Sequence, residues 1–161
     1  NGEPDDEASF RANLEYLRPL IELAHENHTG LALENLGPDS FARNEDNLIR
    51  LVDALDDPAV GICWDFGHAN FTHLDQRACL LKIGKRLKAT HVQDNHGVCD
   101  EHLPPFFGNI NWKEMVDTLR EIEYEGDFTY EIQNITRTLP EAGRYTLLRY
   151  FVELGEYTLS L

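Results

Sequence analysis

The 161-residue sequence has few cysteines, few basic residues and no long hydrophobic run, and each shortage excludes a class of protein. No apolar stretch approaches the roughly 20 residues of a membrane-spanning helix, and no secretory signal is visible. We therefore expect no membrane partner. The three cysteines, Cys63, Cys79 and Cys99, are an odd number without paired spacing. This pattern favours free thiols in a reducing cytoplasm.

Basic residues are scarce, because 14 Lys and Arg stand against 29 Asp and Glu, which gives a net charge of −15 at pH 7. Proteins that bind nucleic acid depend on Lys and Arg to contact phosphates, so we expect no nucleic-acid partner. The hydrophobic content of 42% is sufficient for a buried core. The chain opens on Asn-Gly rather than Met, and we interpret it as a fragment or a processed product.

Apolar periodicity predicts a regular alternation of helices and strands. Helices are expected at 6–27, 44–55, 74–85, 111–123 and 140–159, and strands at 31–36, 59–65, 88–93 and 127–132. Asn44 or Ser40 is expected to cap the second helix. The loop 94–110 is too long for a simple connection, and long loops in compact domains are often functional. The alternation predicts an α/β fold with a parallel sheet and right-handed crossovers.

Four strand-helix units are half of a TIM barrel, which typically needs about 250 residues. An isolated half would leave two open sheet edges and one bare apolar face. We therefore expect residues 1–161 to form a single barrel domain that lacks the first half, completed by a missing half-barrel or by a second copy in a homo-oligomer. A small flavodoxin-like sheet is the alternative. The sequence disfavours it, because no phosphate-binding glycine loop follows the first strand.

Each predicted strand ends near a residue of a type that binds metals. These residues are Glu34, Asp65, His91 and Glu131. The carboxyl ends of parallel strands meet at one edge of the sheet, where α/β barrels build their active sites. A single glutamate or histidine at a strand end is more often solvated or ion-paired. Four in succession predict one shared divalent ion, and three carboxylates with one imidazole suit Mn²⁺, Mg²⁺, Co²⁺ or Zn²⁺ better than copper.

The segments around these ligands read ALENL, WDFGHANF, THVQDNHG, DEHLPPFFGNINW and YEI. Together they resemble the sugar phosphate isomerase/epimerase family of the xylose isomerase-like TIM barrels, a group that also includes endonuclease IV. The similarity covers nearly the whole chain, as the carboxyl-terminal half of that barrel. It implies that one divalent metal ion binds to the same four ligands.

The resemblance also implies an activity, that of a metal-dependent isomerase or epimerase of a small sugar or sugar-derived ketone. In similar enzymes two carboxylates flank the carbon that exchanges its proton, and Glu34 and Glu131 match those positions. One removes a proton next to the carbonyl to give a metal-bound cis-enediolate, and the other, or the same one, returns it. Which glutamate performs which step stays open.

Five further residues are expected to contact the sugar substrate: His68, Asp94, His96, Asp100 and His102. In the family the position of His68 contacts substrate oxygens or, in the nuclease branch, a second metal. Its alternative role is structural, as a histidine bonded to backbone at a strand-to-helix turn. Asp94 is also a candidate for orienting a ligand histidine or a backbone amide. Asp100 and His102 match the spacing of a pair that binds a further zinc in endonuclease IV, although substrate contact or loop packing is the expected role.

Two other functions stay open. An apurinic-site endonuclease would place three zinc ions among Glu34, Asp65, His68, His91, Asp100, His102 and Glu131. The net charge of −15 argues against it, because such an enzyme needs a basic surface. The second possibility is a barrel fragment that folds without catalytic activity.

Overall fold

The computed structural model describes residues 6–137 and 139–161 and contains one four-stranded sheet flanked by helices. The strands are β1 (Leu31–Glu34), β2 (Val60–Asp65), β3 (Leu87–Val92) and β4 (Thr129–Tyr130). The helices are α1 (Asp6–Glu26), α2 (Glu45–Leu55), α3 (Phe66–Phe71), α4 (Gln76–Ile83), α5 (Trp112–Glu121) and α6 (Glu141–Leu159). The strands lie in chain order and every neighbouring pair is parallel. The predicted parallel α/β architecture is confirmed.

Helix α2 begins where the sequence indicated a cap. The Asn44 side chain accepts a hydrogen bond from the backbone N–H of Asn47 at 3.0 Å. This bond satisfies one of the backbone donors that the first turn of a helix leaves free. Asn44, rather than the alternative Ser40, is therefore the cap, and Ser40 instead accepts a bond from the N–H of Ala42.

Helix α3 is additional to the five helices that the sequence predicted. It begins directly after β2, and the Asp65 carboxylate accepts a bond from the N–H of His68 as its cap. Phe66 and Ala69 point into the core and are fully buried. Six residues are too few for an apolar period to stand out, which is why the pattern did not indicate this helix.

Two strands are shorter than expected by two residues or more. Strand β1 ends at Glu34 because the chain then turns away, and the N–H of Leu36 donates to the carbonyl of Ala42 at 2.9 Å. Strand β4 has two residues rather than six. Its pairing continues for one more bond, from the N–H of Glu131 to the carbonyl of Val92 at 3.0 Å. The strands nevertheless end at, or within one residue of, the polar residues that the sequence singled out.

The core lies between the sheet and the helices, and strand β2 is buried along its whole length. The largest fully buried side chains of the core are Trp64, Trp112 and Phe66, and the rings of Phe66 and Trp112 lie 5.3 Å apart. Continuous burial of this kind is typical of a central strand in a parallel sheet. Within residues 6–137 and 139–161, none of the helices is both long enough and apolar enough to cross a membrane.

Candidate active site

The four predicted metal ligands meet at the carboxyl end of the sheet. One ligand atom from each of Glu34, Asp65, His91 and Glu131 lies within 4.8 Å of all the others. His91 Nδ1 is 3.1 Å from Glu34 Oε1, 2.9 Å from Glu131 Oε2 and 4.0 Å from Asp65 Oδ2. The strand register explains this convergence, because Asp65 lies opposite His91 and Glu34 lies opposite the residue two positions before Asp65.

Two carboxylate oxygens of this group are buried without a hydrogen-bond partner among residues 6–137 and 139–161. They are Asp65 Oδ2 and Glu131 Oε2, and the second lies close to His91 Nδ1 without hydrogen-bond geometry. Burial of an unpaired carboxylate oxygen is costly. A hard divalent cation between them would remove that cost, so the four residues fit such an ion by position and by chemistry.

The charges of the group shift one another's pKa values. Burial raises the pKa of Asp65 to about 7, and the carboxylates of Glu34 and Glu131 add to the rise, although His68 opposes it. Burial also acts to raise the pKa of Glu34, but His68 and His91 beside it bring that pKa below its ordinary value. Without a cation, Asp65 therefore keeps its proton to a higher pH than an ordinary carboxyl group, which reduces the repulsion among the three carboxylates.

His68 faces both the backbone and the four-ligand group. Its Nδ1 donates to the carbonyl of Asn35 at 2.8 Å and also lies 3.3 Å from Glu34 Oε1. Its Nε2 lies 3.5 Å from Asp100 Oδ2. Burial lowers the pKa of His68, but Glu34, Asp65 and Asp100 together raise it to about 9. His68 therefore makes the backbone contact expected of a structural histidine, and it also lies close enough to the four-ligand group to contact a substrate there.

The long loop after β3 brings Asp100 and His102 to the same site. His102 Nδ1 donates to the carbonyl of Glu131 at 2.8 Å, and its Nε2 lies 2.9 Å from Asp100 Oδ2. Gln93 Nε2 donates to the other oxygen, Asp100 Oδ1, at 2.5 Å. Asp100 is thus placed between the imidazoles of His68 and His102.

Asp94 and His96 lie in different surroundings. The Asp94 carboxylate is fully buried and accepts bonds from the N–H groups of Asn95, Phe106 and Ile110 and from the indole of Trp112. These contacts fix the path of the loop that carries Asp100 and His102. His96 is exposed and pairs with Glu101 at 2.9 Å. Neither belongs to the four-ligand group, and their contacts with substrate stay predictions.

Sequence reasoning missed Asn35 and Gln93. Asn35 directly follows a ligand, and its side-chain amide bonds the backbone of Asp65. Gln93 lies two residues after His91, on the same side of the extended chain, and it positions Asp100. Both are amides within two residues of a strand-end ligand, but their partners Asp65 and Asp100 lie on other elements, which the sequence alone does not bring together.

The fold and the sequence match known proteins. Residues 1–150 match the family model of the xylose isomerase-like TIM barrel. The chain is 33% identical over 128 residues to the uncharacterized protein MJ1311 of Methanocaldococcus jannaschii, a match covering 76% of this chain and 43% of MJ1311. In structure it is similar to a D-psicose 3-epimerase crystallised with D-fructose (TM-score 0.79, 15% identity, 99% of this chain and 59% of that chain). It is also similar to the 3-keto-D-glucoside 4-epimerase YcjR of E. coli (TM-score 0.74, 23% identity, covering 95% of this chain and 57% of YcjR).

The chain spans less than half the length of MJ1311 and less than two thirds of either epimerase. At these low identities the two structures establish the fold alone. The family match extends over most of the chain and includes all four strands and all four strand-end ligands. It agrees with the resemblance of the motifs, and the chain belongs to the xylose isomerase-like TIM barrel family.

Proposed function

We propose that the chain contributes the metal-binding half of an isomerase or epimerase that acts on a small sugar or a sugar-derived ketone. The observation that carries this proposal is the pair of carboxylates, Glu34 and Glu131, that both lie within 3.1 Å of His91 Nδ1. Two carboxylates beside one cation site can remove and return a proton on the same substrate. The sugar epimerases with the same fold support this substrate class.

The proposed cofactor is one divalent ion, Mn²⁺, Zn²⁺, Mg²⁺ or Co²⁺, bound by Glu34, Asp65, His91 and Glu131. When bound, it supplies a Lewis acid that polarises a carbonyl and stabilises the negative charge that develops on its oxygen.

Glu34 and Glu131 are the proposed acid-base pair. As a carboxylate accepts the proton next to a ketone, the C–H electron pair moves toward the carbonyl oxygen and the carbon becomes planar. Return of a proton to the opposite face inverts that carbon, which is epimerisation. In isomerisation the proton instead goes to the former carbonyl carbon, and the hydroxyl group on the first carbon loses its proton as that carbon becomes the new carbonyl. Although burial opposes it, His68 and His91 lower the pKa of Glu34, so Glu34 is ionised at neutral pH and can accept a proton.

We further propose that His68, Asp100 and His102 orient the hydroxyl groups of the substrate, since their polar atoms border the four-ligand group. Asp94 and His96 are weaker candidates for this role. Asp94 acts on the loop, and His96 is exposed. Orientation of this kind places the reacting carbon against the carboxylates and lowers the entropic part of the barrier.

Solvent exchange tests the proposal. The protein with Mn²⁺ is incubated in D₂O with D-fructose, D-psicose or D-tagatose, and deuterium next to the carbonyl is measured by NMR. Glu34→Gln and Glu131→Gln should each lower exchange by about 10²- to 10⁴-fold. Glu101→Gln is the matched control, because Glu101 pairs with His96 in the loop and lies outside the ligand group. Bound Mn²⁺ without exchange on any ketose would contradict the proposal.

One arrangement favours a second candidate, a multi-zinc endonuclease. Asp100 Oδ2 lies 3.5 Å from His68 Nε2 and 2.9 Å from His102 Nε2, so these three residues form a second cluster. The net charge of −15 opposes binding to DNA. Anomalous scattering at the zinc edge distinguishes the two functions, because three closely spaced ions would favour the nuclease and one ion the isomerase. No uptake of Mn²⁺ or Zn²⁺ would favour a non-catalytic fragment.

The sheet itself suggests a partner. Its outer strands are β1 and β4, and a barrel requires both to pair further. We propose that another half-barrel or a second copy of this chain completes the single domain, which sedimentation of the purified protein would test.

The free cysteines Cys63, Cys79 and Cys99 support a reducing, cytoplasmic location.

A further inference from the structure

We propose that Asn35 is a positioning residue that fixes Asp65 and His68 relative to Glu34, an inference that rests on the proposed function of this site. Asn35 follows Glu34 at the end of β1 and is 1% exposed. Backbone pairing between β1 and β2 reaches Glu34 and Cys63, two residues before Asp65. The ligand on β2 therefore lies beyond the last pair of the ladder.

The Asn35 side chain continues the pairing to Asp65. The backbone N–H of Asp65 donates to Asn35 Oδ1 at 2.7 Å, and Asn35 Nδ2 donates to the carbonyl of Asp65 at 2.9 Å. A side-chain amide places a donor and an acceptor in one plane, as a peptide group does. It can therefore replace the missing backbone partner, whereas leucine lacks both groups and aspartate lacks the donor.

A second contact closes a cycle of three residues. The Asp65 carboxylate accepts from the backbone N–H of His68 at 2.6 Å, and His68 Nδ1 donates back to the carbonyl of Asn35 at 2.8 Å. The carbonyl can only accept, so His68 Nδ1 carries a proton, and Nε2 faces Asp100. The same cycle occupies Asp65 Oδ1, so that Oδ2 is the oxygen left for the ligand group.

Metal affinity is the first test. Asn35→Leu in the full protein removes both amide bonds at similar volume and should weaken Mn²⁺ binding, measured by calorimetry, about 10- to 100-fold. Gln76→Leu is the matched control, because it removes another buried amide, the one bonded to Trp64 Nε1. It should lower the unfolding midpoint without changing the Kd for Mn²⁺. Equal Kd changes in the two variants would overturn the proposal.

A readout without metal separates this inference from the proposed function. In ¹⁵N-histidine-labelled, metal-free protein, the hydrogen-bonded Nδ1–H of His68 should give a slowly exchanging downfield proton signal. Asn35→Ala should broaden or lose this signal, and Gln76→Leu should keep it. Alanine is used here because it leaves room for water beside Asp65, so this variant should fold more readily than Asn35→Leu. An unchanged signal in Asn35→Ala would overturn the role of Asn35. A wild-type protein that shows the signal but binds no Mn²⁺ would instead contradict the proposed function.

Discussion

Asp65 Oδ1 accepts a hydrogen bond from the backbone N–H of His68 at 2.6 Å, whereas Asp65 Oδ2 has no such partner among the described residues. One oxygen of this carboxylate caps helix α3 and the other is directed to the ligand group, 4.0 Å from His91 Nδ1. The helix cap therefore fixes the rotamer of a proposed metal ligand. Because an asparagine can perform the first task and not the second, the two can be separated by experiment.

Asp65→Asn should still cap helix α3 but should bind Mn²⁺ much more weakly. Asparagine caps helices as well as aspartate does, so the unfolding midpoint of the metal-free protein should change little or rise. Without the carboxylate charge, Mn²⁺ affinity should fall by at least about 100-fold. This is more than the loss expected when a residue that only hydrogen-bonds to a metal ligand is replaced. Calorimetric titration and thermal unfolding measure the two quantities.

Asp75→Asn is the matched control for this substitution. Asp75 caps α4 through the N–H of Ala78 at 3.0 Å, and it lies outside the ligand group. This variant should bind Mn²⁺ as the wild type does. A Kd for Mn²⁺ that Asp65→Asn leaves within threefold of the wild type would exclude Asp65 as a ligand.

The stability of the metal-free protein should fall as pH rises from about 4 to 9. The pKa of Asp65 is about 7 in the fold against an ordinary 3.8, so between these values the folded state binds a proton that the unfolded state has released. Stability then decreases with pH, by at most about 4 kcal/mol from this group. The pKa of His68 rises from 6.5 to about 9, so its contribution is complete below 6.5 and is lost through pH 9.

Urea unfolding at pH 5, 7 and 9 with a chelator measures this dependence. Asp65→Asn should flatten the step between pH 5 and 7, and His68→Gln the step between pH 7 and 9. Saturating Mn²⁺ should reverse the trend, because a cation favours the ionised ligands. A chelated wild-type protein that becomes more stable from pH 5 to 9 would refute this account.

The sequence predicted the order of the strands and the convergence of Glu34 and His91, because parallel strands bring their carboxyl ends to one edge of the sheet. It placed the ends of β1 and β4 two residues too late. It did not predict the roles of Asn35 and Gln93. Their partners, Asp65 and Asp100, are set by strand register and by the path of the loop. The spacing of residues along the chain contains neither the strand register nor the path of the loop. The two amides could therefore not be assigned to their partners from the sequence alone.

Asp94→Asn should loosen the loop between β3 and α5. The buried carboxylate accepts bonds from the N–H groups of Phe106 and Ile110 and from Trp112 Nε1, and an amide would turn an NH₂ group toward some of these donors. We expect a loss of roughly 1–3 kcal/mol in the free energy of unfolding and faster proteolysis in the loop. Asp117→Asn, an exposed carboxylate paired with Lys113, should change neither. Equal proteolysis rates in the two variants would contradict this role.

Gly67→Ala should displace Gln93 and, through it, Asp100. A Cβ at position 67 would overlap the Gln93 side-chain amide, which is fully buried and bonded to Asp100. The overlap should lower the free energy of unfolding by about 1–3 kcal/mol. Gly143→Ala is the control, because a Cβ there meets Leu139 only at an ordinary 3.9 Å. Alanine within helix α6 should be stabilising.

A double-mutant cycle tests whether the overlap with Gln93 is the cause. In Gly67→Ala combined with Gln93→Ala, the shorter side chain leaves room for the new methyl group, so the double variant should be more stable than additivity of the two single variants predicts. Exchange activity should stay low in the double variant, because Asp100 has lost the amide that positions it. Additive losses in urea unfolding would show that alanine at position 67 acts through some contact other than Gln93.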